Sequence, residues 1–277
     1  MKYLLLFYIE LVRMVYCFFA YHFGILSMEG EFFLERKLLG SLYVNGIPMN
    51  DTKDVRDSHL KIGDTCKDPS CALSWIRVGD IWICDRTVAT AISLNKLDTK
   101  YRYLYGDVIH IDGVPYLCRS LRVGSDIDED NEWDMALDDV GEDDEIWHWN
   151  RAAFFGQERC QRSIRKGVAR GGRSPRNWRP ISNKFVDNNL GFRPVLEPLA
   201  RVDKPSAGLV SQTVFACSSC DMVAGQLMDY TDYDLVLRPN TAINGLHNRG
   251  DWTMNSSAEL LFVRRDSVVS LYSKGEA

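Results

Sequence analysis

The pattern of apolar and polar positions changes character several times along the chain. Residues 3–26 (YLLLFYIELVRMVYCFFAYHFGIL) are almost unbroken apolar sequence, long enough to cross a bilayer at about 1.5 Å of rise per helical residue. Glu10 and Arg13 interrupt it three positions apart, the spacing at which two side chains pair on a helix. Leu42-Tyr43-Val44-Asn45-Gly46-Ile47 predicts a short strand broken by a turn, and residues 76–84 (IRVGDIWIC) alternate as a strand does. Residues 86–97 carry Val88, Ala91 and Ile92 at helical spacing. The clearest local signal is Asp112-Gly113, because both central residues of a tight hairpin turn need positive φ. Residues 108–111 and 114–117 are therefore predicted to pair.

Further on, Trp133, Ala136, Leu137 and Val140 fall at i, i+3, i+4 and i+7. They predict a short amphipathic helix that Asn131 caps and Gly141 ends. From 147 to 193 the periodicity breaks down. Gly, Arg, Asn, Ser and Pro recur there, with Trp147, Trp149, Phe154, Phe155, Trp178 and Phe192 between them. That composition predicts long ordered loops pinned by aromatic anchors. Glu197-Pro198 and Lys204-Pro205 mark a linker, and Leu235-Val236-Leu237 with residues 260–263 and 268–272 predicts a small β-rich unit. The expected division is 1–27, a hydrophobic N-terminal segment; 28–197, the main domain; and 198–277, the C-terminal β-rich unit. Three readings of 1–27 stay open: a membrane anchor, a buried helix, or an upstream extension, since Met28 opens a sensible start of its own.

Composition narrows the function classes. With 277 residues, 45% of them hydrophobic and 26% charged, the chain can bury a sizeable core, which argues against disorder and fibrous folds. The net charge of −5 hides an asymmetry: residues 126–145 hold twelve acids and no base, and residues 151–179 hold nine bases against Glu158 alone. A generic basic nucleic-acid binder is disfavoured, because twelve carboxylates lie next to the basic stripe. The simplest expectation is internal compensation, leaving any charge-driven function to the groups that stay unpaired. Asp126, Asp128, Asp130 and Glu132 alternate like a calcium loop, but Asn131 replaces the required glycine and Leu137 the required glutamate.

The eight cysteines include Cys66 with Cys71 and Cys217 with Cys220. A zinc site would need both pairs to meet; buried free thiols in a reduced compartment are the plainer expectation. His22, His59, His110, His148 and His247 have no metal-ligand spacing. A reduced cytoplasm or a virion is the expected setting, with membrane anchoring through residues 3–26 left open.

Val168-Ala169-Arg170-Gly171-Gly172-Arg173, followed by Asn188-Asn189-Leu190-Gly191-Phe192-Arg193-Pro194-Val195, resembles the formylglycine-generating enzyme (sulfatase-modifying factor) superfamily. Asn131-Glu132-Trp133-Asp134, Trp147-His148-Trp149 and Gly156-Gln157-Glu158 are similar to phage and gut-bacterial proteins carrying this domain. The resemblance spans residues 76–197. It implies an α+β, C-type-lectin-like fold: a twisted, mostly antiparallel sheet, one or two helices and long loops. Oxidase members hold copper through a cysteine pair between the Arg-Gly-Gly and Gly-Phe-Arg motifs. Here residues 173–190 contain no cysteine, and Cys160 stands alone before them. Formylglycine chemistry, an enzyme and a cofactor are therefore not expected.

What the resemblance leaves is a non-catalytic scaffold presenting a surface, as in target proteins of diversity-generating retroelements. Carried onto this chain, the ligand-binding candidates are Trp147, Trp149, Asn150, Arg173, Arg176, Asn177, Trp178, Arg179, Asn183 and Asn188. Tryptophan and arginine give large planar contacts, and asparagine gives adaptable hydrogen bonding. One departure is that 84 residues follow Arg193, where such targets end soon after the motif. The expected function is recognition of a protein or glycan by a phage- or prophage-derived module. Two alternatives remain: a phage anti-defence protein whose acidic face blocks a nucleic-acid-binding partner, and a superfamily enzyme with altered metal chemistry.

Overall fold

Asp112 and Gly113 take φ of 52° and 82°, and the turn they make joins strands paired from Asp107↔Cys118 to Ile111↔Val114. The structure, a computed structural model, describes residues 34–56, 58–219, 221–240, 252–255 and 259–275. Apart from Leu34 these all belong to one unit, Glu35–Ala277; the readings of residues 1–27 lie outside the described residues.

In chain order the unit opens with β1 (Arg36–Val44), β2 (Ile47–Met49), β3 (Lys53–Asp54), β4 (Leu60–Gly63), β5 (Ala72–Val78), β6 (Ile81–Cys84) and β7 (Ala89–Thr90). After α1 (Leu94–Thr99) come β8 (Asp107–Ile111) and β9 (Val114–Ser120), then α2 (Glu132–Val140) and α3 (Asp144–Trp147). Next are β10 (Ala153–Cys160), β11 (Ser163–Arg170), β12 (Trp178–Ser182), β13 (Leu190–Phe192) and β14 (Pro194–Val202). The chain continues through β15 (Thr213–Cys217), β16 (Met222–Tyr230), β17 (Asp234–Pro239), β18 (Trp252–Asn255), β19 (Leu260–Arg264) and β20 (Ser270–Lys274).

These elements make an α+β unit in which strand dominates and the sheet is curled. The larger sheet runs β18-β19-β17-β16-β15-β20-β14-β6-β5-β1-β2, with β4 on β1, β9 on β14 and β8 on β9. The smaller sheet runs β12-β11-β10-β13-β7-β3. Pairing is antiparallel except for β10 with β13 and β3 with β7. The main core lies between the early strands, α1 and the smaller sheet, through Trp75, Ile62, Leu94, Phe155 and Phe192. Strands β15, β16, β17, β19 and β20 supply a further apolar cluster, including Val214, Leu227, Leu237 and Val263.

Local signals explain much of this. Asn131 caps α2 by accepting from the Asp134 amide, and Gly141 ends it at φ 99°. Asn45 and Gly46 turn β1 into β2 at φ 52° and 80°. Four expectations are corrected. Residues 76–84 form two strands, not one, because Gly79 at φ 55° turns the chain back. Residues 86–93 are not helical: the Val88 amide donates to the Phe192 carbonyl, and Ala91 sits at φ 56° with its amide shared between Asp187 and Leu190. The helix begins only where the Ser93 side chain caps it. Residues 147–193 carry four strands (β10 to β13) as well as loops. Glu197-Pro198 is no linker, since β14 runs through it, pairing with β9 there and with β20 further on.

Candidate functional site

Arg193 ends the Gly-Phe-Arg segment in a fully buried position. Its guanidinium carbon lies 4.8 Å from the Trp133 ring centroid and 4.7 Å from that of Phe154. Nη2 donates to the Trp147 carbonyl at 2.6 Å. Burial without a contacting carboxylate pushes its pKa down to about 10. Trp133 meets both Trp147 and Phe154 edge to face. Trp147 is therefore corrected from candidate contact to core: it is wholly buried, its indole held by the Gly141 carbonyl. His148 follows it in the left-handed region at φ 45°, with Nδ1 3.3 Å from the Asp85 carbonyl oxygen.

Arg170, also buried, donates twice to the Val123 carbonyl, once to the Arg176 carbonyl and once to Asp134 at 2.6 Å. Burial lowers its pKa against the pull of Asp134. Arg176 bridges Asp134, Asp138 and Glu142, so it ties the acidic helix to the loop after β11. Arg159 pairs with Asp98 and Arg162 with Asp126. The two charge blocks thus compensate each other in part. Among the described residues, Arg151, Arg165, Lys166, Arg173 and Arg179 make no ion pair.

Three of those five converge. The starts of β10, β12 and β13 and the end of β11 lie at one end of the smaller sheet, because β10 and β13 run parallel (Ala153↔Leu190) and β11 pairs Arg170↔Trp178. Gly171 and Gly172 reverse the chain there at φ 77° and 86°. A side chain on Gly171 would come within 3.2 Å of the Trp149 carbonyl oxygen, which the Gly172 amide uses at 2.8 Å. The loop before β13 is fixed by the Asp187 carboxylate, which accepts from the Asn189 amide at 2.8 Å, and by the Ala153 amide donating to the Asn189 carbonyl. Between these segments opens a cleft of about 410 Å³. Arg151, Arg173, Arg179, Asn150, Asn189 and Phe185 supply its polar and aromatic lining, and Asp187 its one carboxylate. Arg151 and Arg173 are exposed and Arg179 is half-buried. The Arg179 Nε is buried without a hydrogen-bond partner among the described residues.

Of the sequence candidates, the cleft gathers Asn150, Arg173 and Arg179. The others are engaged elsewhere. Trp149 donates to the Glu142 carbonyl, Asn177 to Gly171, Trp178 to Gly124 and Asn183 to Ile164. Asn188 accepts from Arg56 at 2.7 Å, and Arg176 serves the acidic helix. Sequence reasoning missed Arg151, Phe185, Asp187 and Asn189. Arg151 was within reach, adjoining Asn150 in the basic block; the other three arrive through the β10·β13 pairing, which no local pattern announces.

The described cysteines are free thiols, and Cys220 lies outside the described residues. Among the described residues no group of three or more His, Cys, Asp or Glu is placed to hold a metal ion, and no helix is long and apolar enough to cross a membrane. No protein-family model matches the chain, and neither a curated protein nor a solved structure matches it.

Proposed function

We propose that the chain is a non-catalytic binding protein of C-type-lectin-like architecture, and that it recognises a protein or glycan at the cleft on the end of the smaller sheet. The observation that carries this is the convergence of Arg151, Arg173 and Arg179 with Asn150 and Asn189 on one concavity of about 410 Å³. That size suits a small ligand or a protruding group. Guanidinium and amide groups bind and orient well, and they are poor acids and bases near neutral pH. The lectin-like reading is supported by the Gly171-Gly172 turn and by Arg170 and Arg193, whose buried forks tie loop carbonyls together. A phage or prophage origin rests on the sequence resemblance alone.

Mimicry of a phosphate backbone by the acidic face is the second reading. Asp128, Asp130, Asp139 and Glu145 favour it, since among the described residues they make no ion pair. It is the weaker one, because Arg170 and Arg176 already neutralise Asp134, Asp138 and Glu142.

The test is a screen of glycan and peptide libraries against the wild-type chain and an Asn189→Trp variant, whose exposed rim position lets the indole plug the cleft. Saturable binders of the wild type should be lost by the plugged variant, with both proteins equally folded by circular dichroism. Equal retention by the plugged variant, or no saturable binder in either library, would overturn the proposal.

A further inference from the structure

We infer that the ligand of this cleft is an acidic saccharide, a sugar carrying a carboxylate or a sulfate; the inference rests on the cleft being the recognition site. Charge is the first argument. Three arginines and one aspartate line the cleft, so the lining carries net positive charge even with Asp187, whose carboxylate accepts from the Asn189 amide. Arg159, Arg162, Arg170 and Arg176 of the same basic stretch each have a carboxylate partner. Among the described residues Arg151, Arg173 and Arg179 have none. Three cations against one carboxylate leave an excess of like charge that repels itself, and an incoming anion relieves that repulsion.

Geometry gives the second argument. Arg179 is held half-buried in the cleft wall and makes no ion pair among the described residues, so its guanidinium is placed there without a charge partner. A planar fork matches the two oxygens of a carboxylate or the oxygens of a sulfate. The third argument separates a sugar from other anions. Phe185, 46% exposed, brings an aromatic ring to the cleft lining, and the C–H face of a pyranose ring packs against aromatic surface. Asn150 and Asn189 each offer an amide that both donates and accepts, which matches hydroxyl groups. A cleft of about 410 Å³ also favours a saccharide over a flat protein surface.

The experiment is isothermal titration of the full chain with three matched sugars: neutral digalactose, digalacturonate, and digalactose sulfated at the terminal C6 hydroxyl. An aspartate-rich peptide forms a fourth arm. At least one charged sugar should bind roughly tenfold or more tightly than the neutral one, as charge-assisted hydrogen bonds imply. Its affinity should fall with added salt. Arg173→Ala and Arg179→Ala should each weaken it by about tenfold, and the exposed Arg173 makes the first variant safe for folding. Preference for the carboxylated or the sulfated sugar identifies which anion is read. Neutral digalactose binding as tightly, and still blocked by Asn189→Trp, would overturn the inference while leaving the cleft reading intact. Charged sugars binding equally to the plugged variant would overturn both. Binding of the peptide alone, or of none of the four probes, would also overturn the inference.

Discussion

The guanidinium of Arg193 stacks over the indole of Trp133, its central carbon 4.8 Å from the ring centroid. This contact joins the Gly191-Phe192-Arg193 segment to the acidic helix α2. The partner of a fully buried cation is here a pair of aromatic faces and one backbone carbonyl. A desolvated cation over an indole gains about 2 kcal/mol or more.

Arg193→Lys keeps the charge but loses the planar stack, so it should destabilise the fold by about 2 kcal/mol. Trp133→Leu removes the ring and leaves a cavity, and should cost about 3 kcal/mol or more. Urea unfolding followed by tryptophan-independent circular dichroism checks both. An unchanged midpoint for Arg193→Lys would mean the stack contributes nothing.

Arg119 lies fully buried between Glu132 and Glu197, at 2.6 and 2.5 Å. Burial pushes the Glu197 pKa up, but Arg119 and Lys274 outweigh it, and the net pKa lies below the ordinary 4.5. A carboxylate depressed in the folded state stabilises fully above its unfolded value and loses that contribution as pH falls through the folded one. Wild-type stability should therefore decline as pH drops below about 4.5, and Glu197→Gln should show less of this decline. At neutral pH the variant should be weaker by about 3 kcal/mol, since it removes one partner of a buried ion group. Denaturation midpoints across a pH series measure both effects.

A side chain on Gly191 would stand 1.7 Å from the Ala89 carbonyl oxygen. Gly191→Ala must force β13 away from β7 and should cost more than about 4 kcal/mol or abolish soluble expression. Gly113 provides the contrast: its φ is 82°, yet no atom lies within 4 Å of a built Cβ. Gly113→Ala should cost only about 1–2 kcal/mol, the conformational penalty alone. Similar losses for the two variants would contradict the steric assignment.

The parts of this fold legible in the sequence are those that local chemistry decides. Asp112-Gly113 sets its hairpin, and Asn131 with Gly141 bounds α2, because a turn or a cap needs only neighbouring residues. Strands β10 and β11 were not legible. Residues 153–157 are buried on both faces, so no alternation appears, and the β10·β11 register shifts around Arg159. Residues 88–92 read as helix because the apolar spacing of Val88, Ala91 and Ile92 is real, but distant backbone groups at Phe192, Asp187 and Leu190 claim the Val88 and Ala91 amides. The candidate site divides in the same way. Arg173 and Arg179 stood out by type and position, whereas Asp187 and Asn189 join them only through the parallel pairing of β10 with β13.

The most direct test of the cleft as recognition site compares two variants that change charge equally in different places. Arg151→Glu/Arg173→Glu reverses two lining residues, and Arg165→Glu/Lys166→Glu reverses two exposed, unpaired bases that do not line the cleft. Titration with whichever charged sugar the wild-type chain binds more tightly should lose measurable binding in the first variant and change by less than about threefold in the second, as expected of distant surface charges screened by salt. Equal loss in both variants, or loss only in the second, would contradict the assignment of recognition to the cleft.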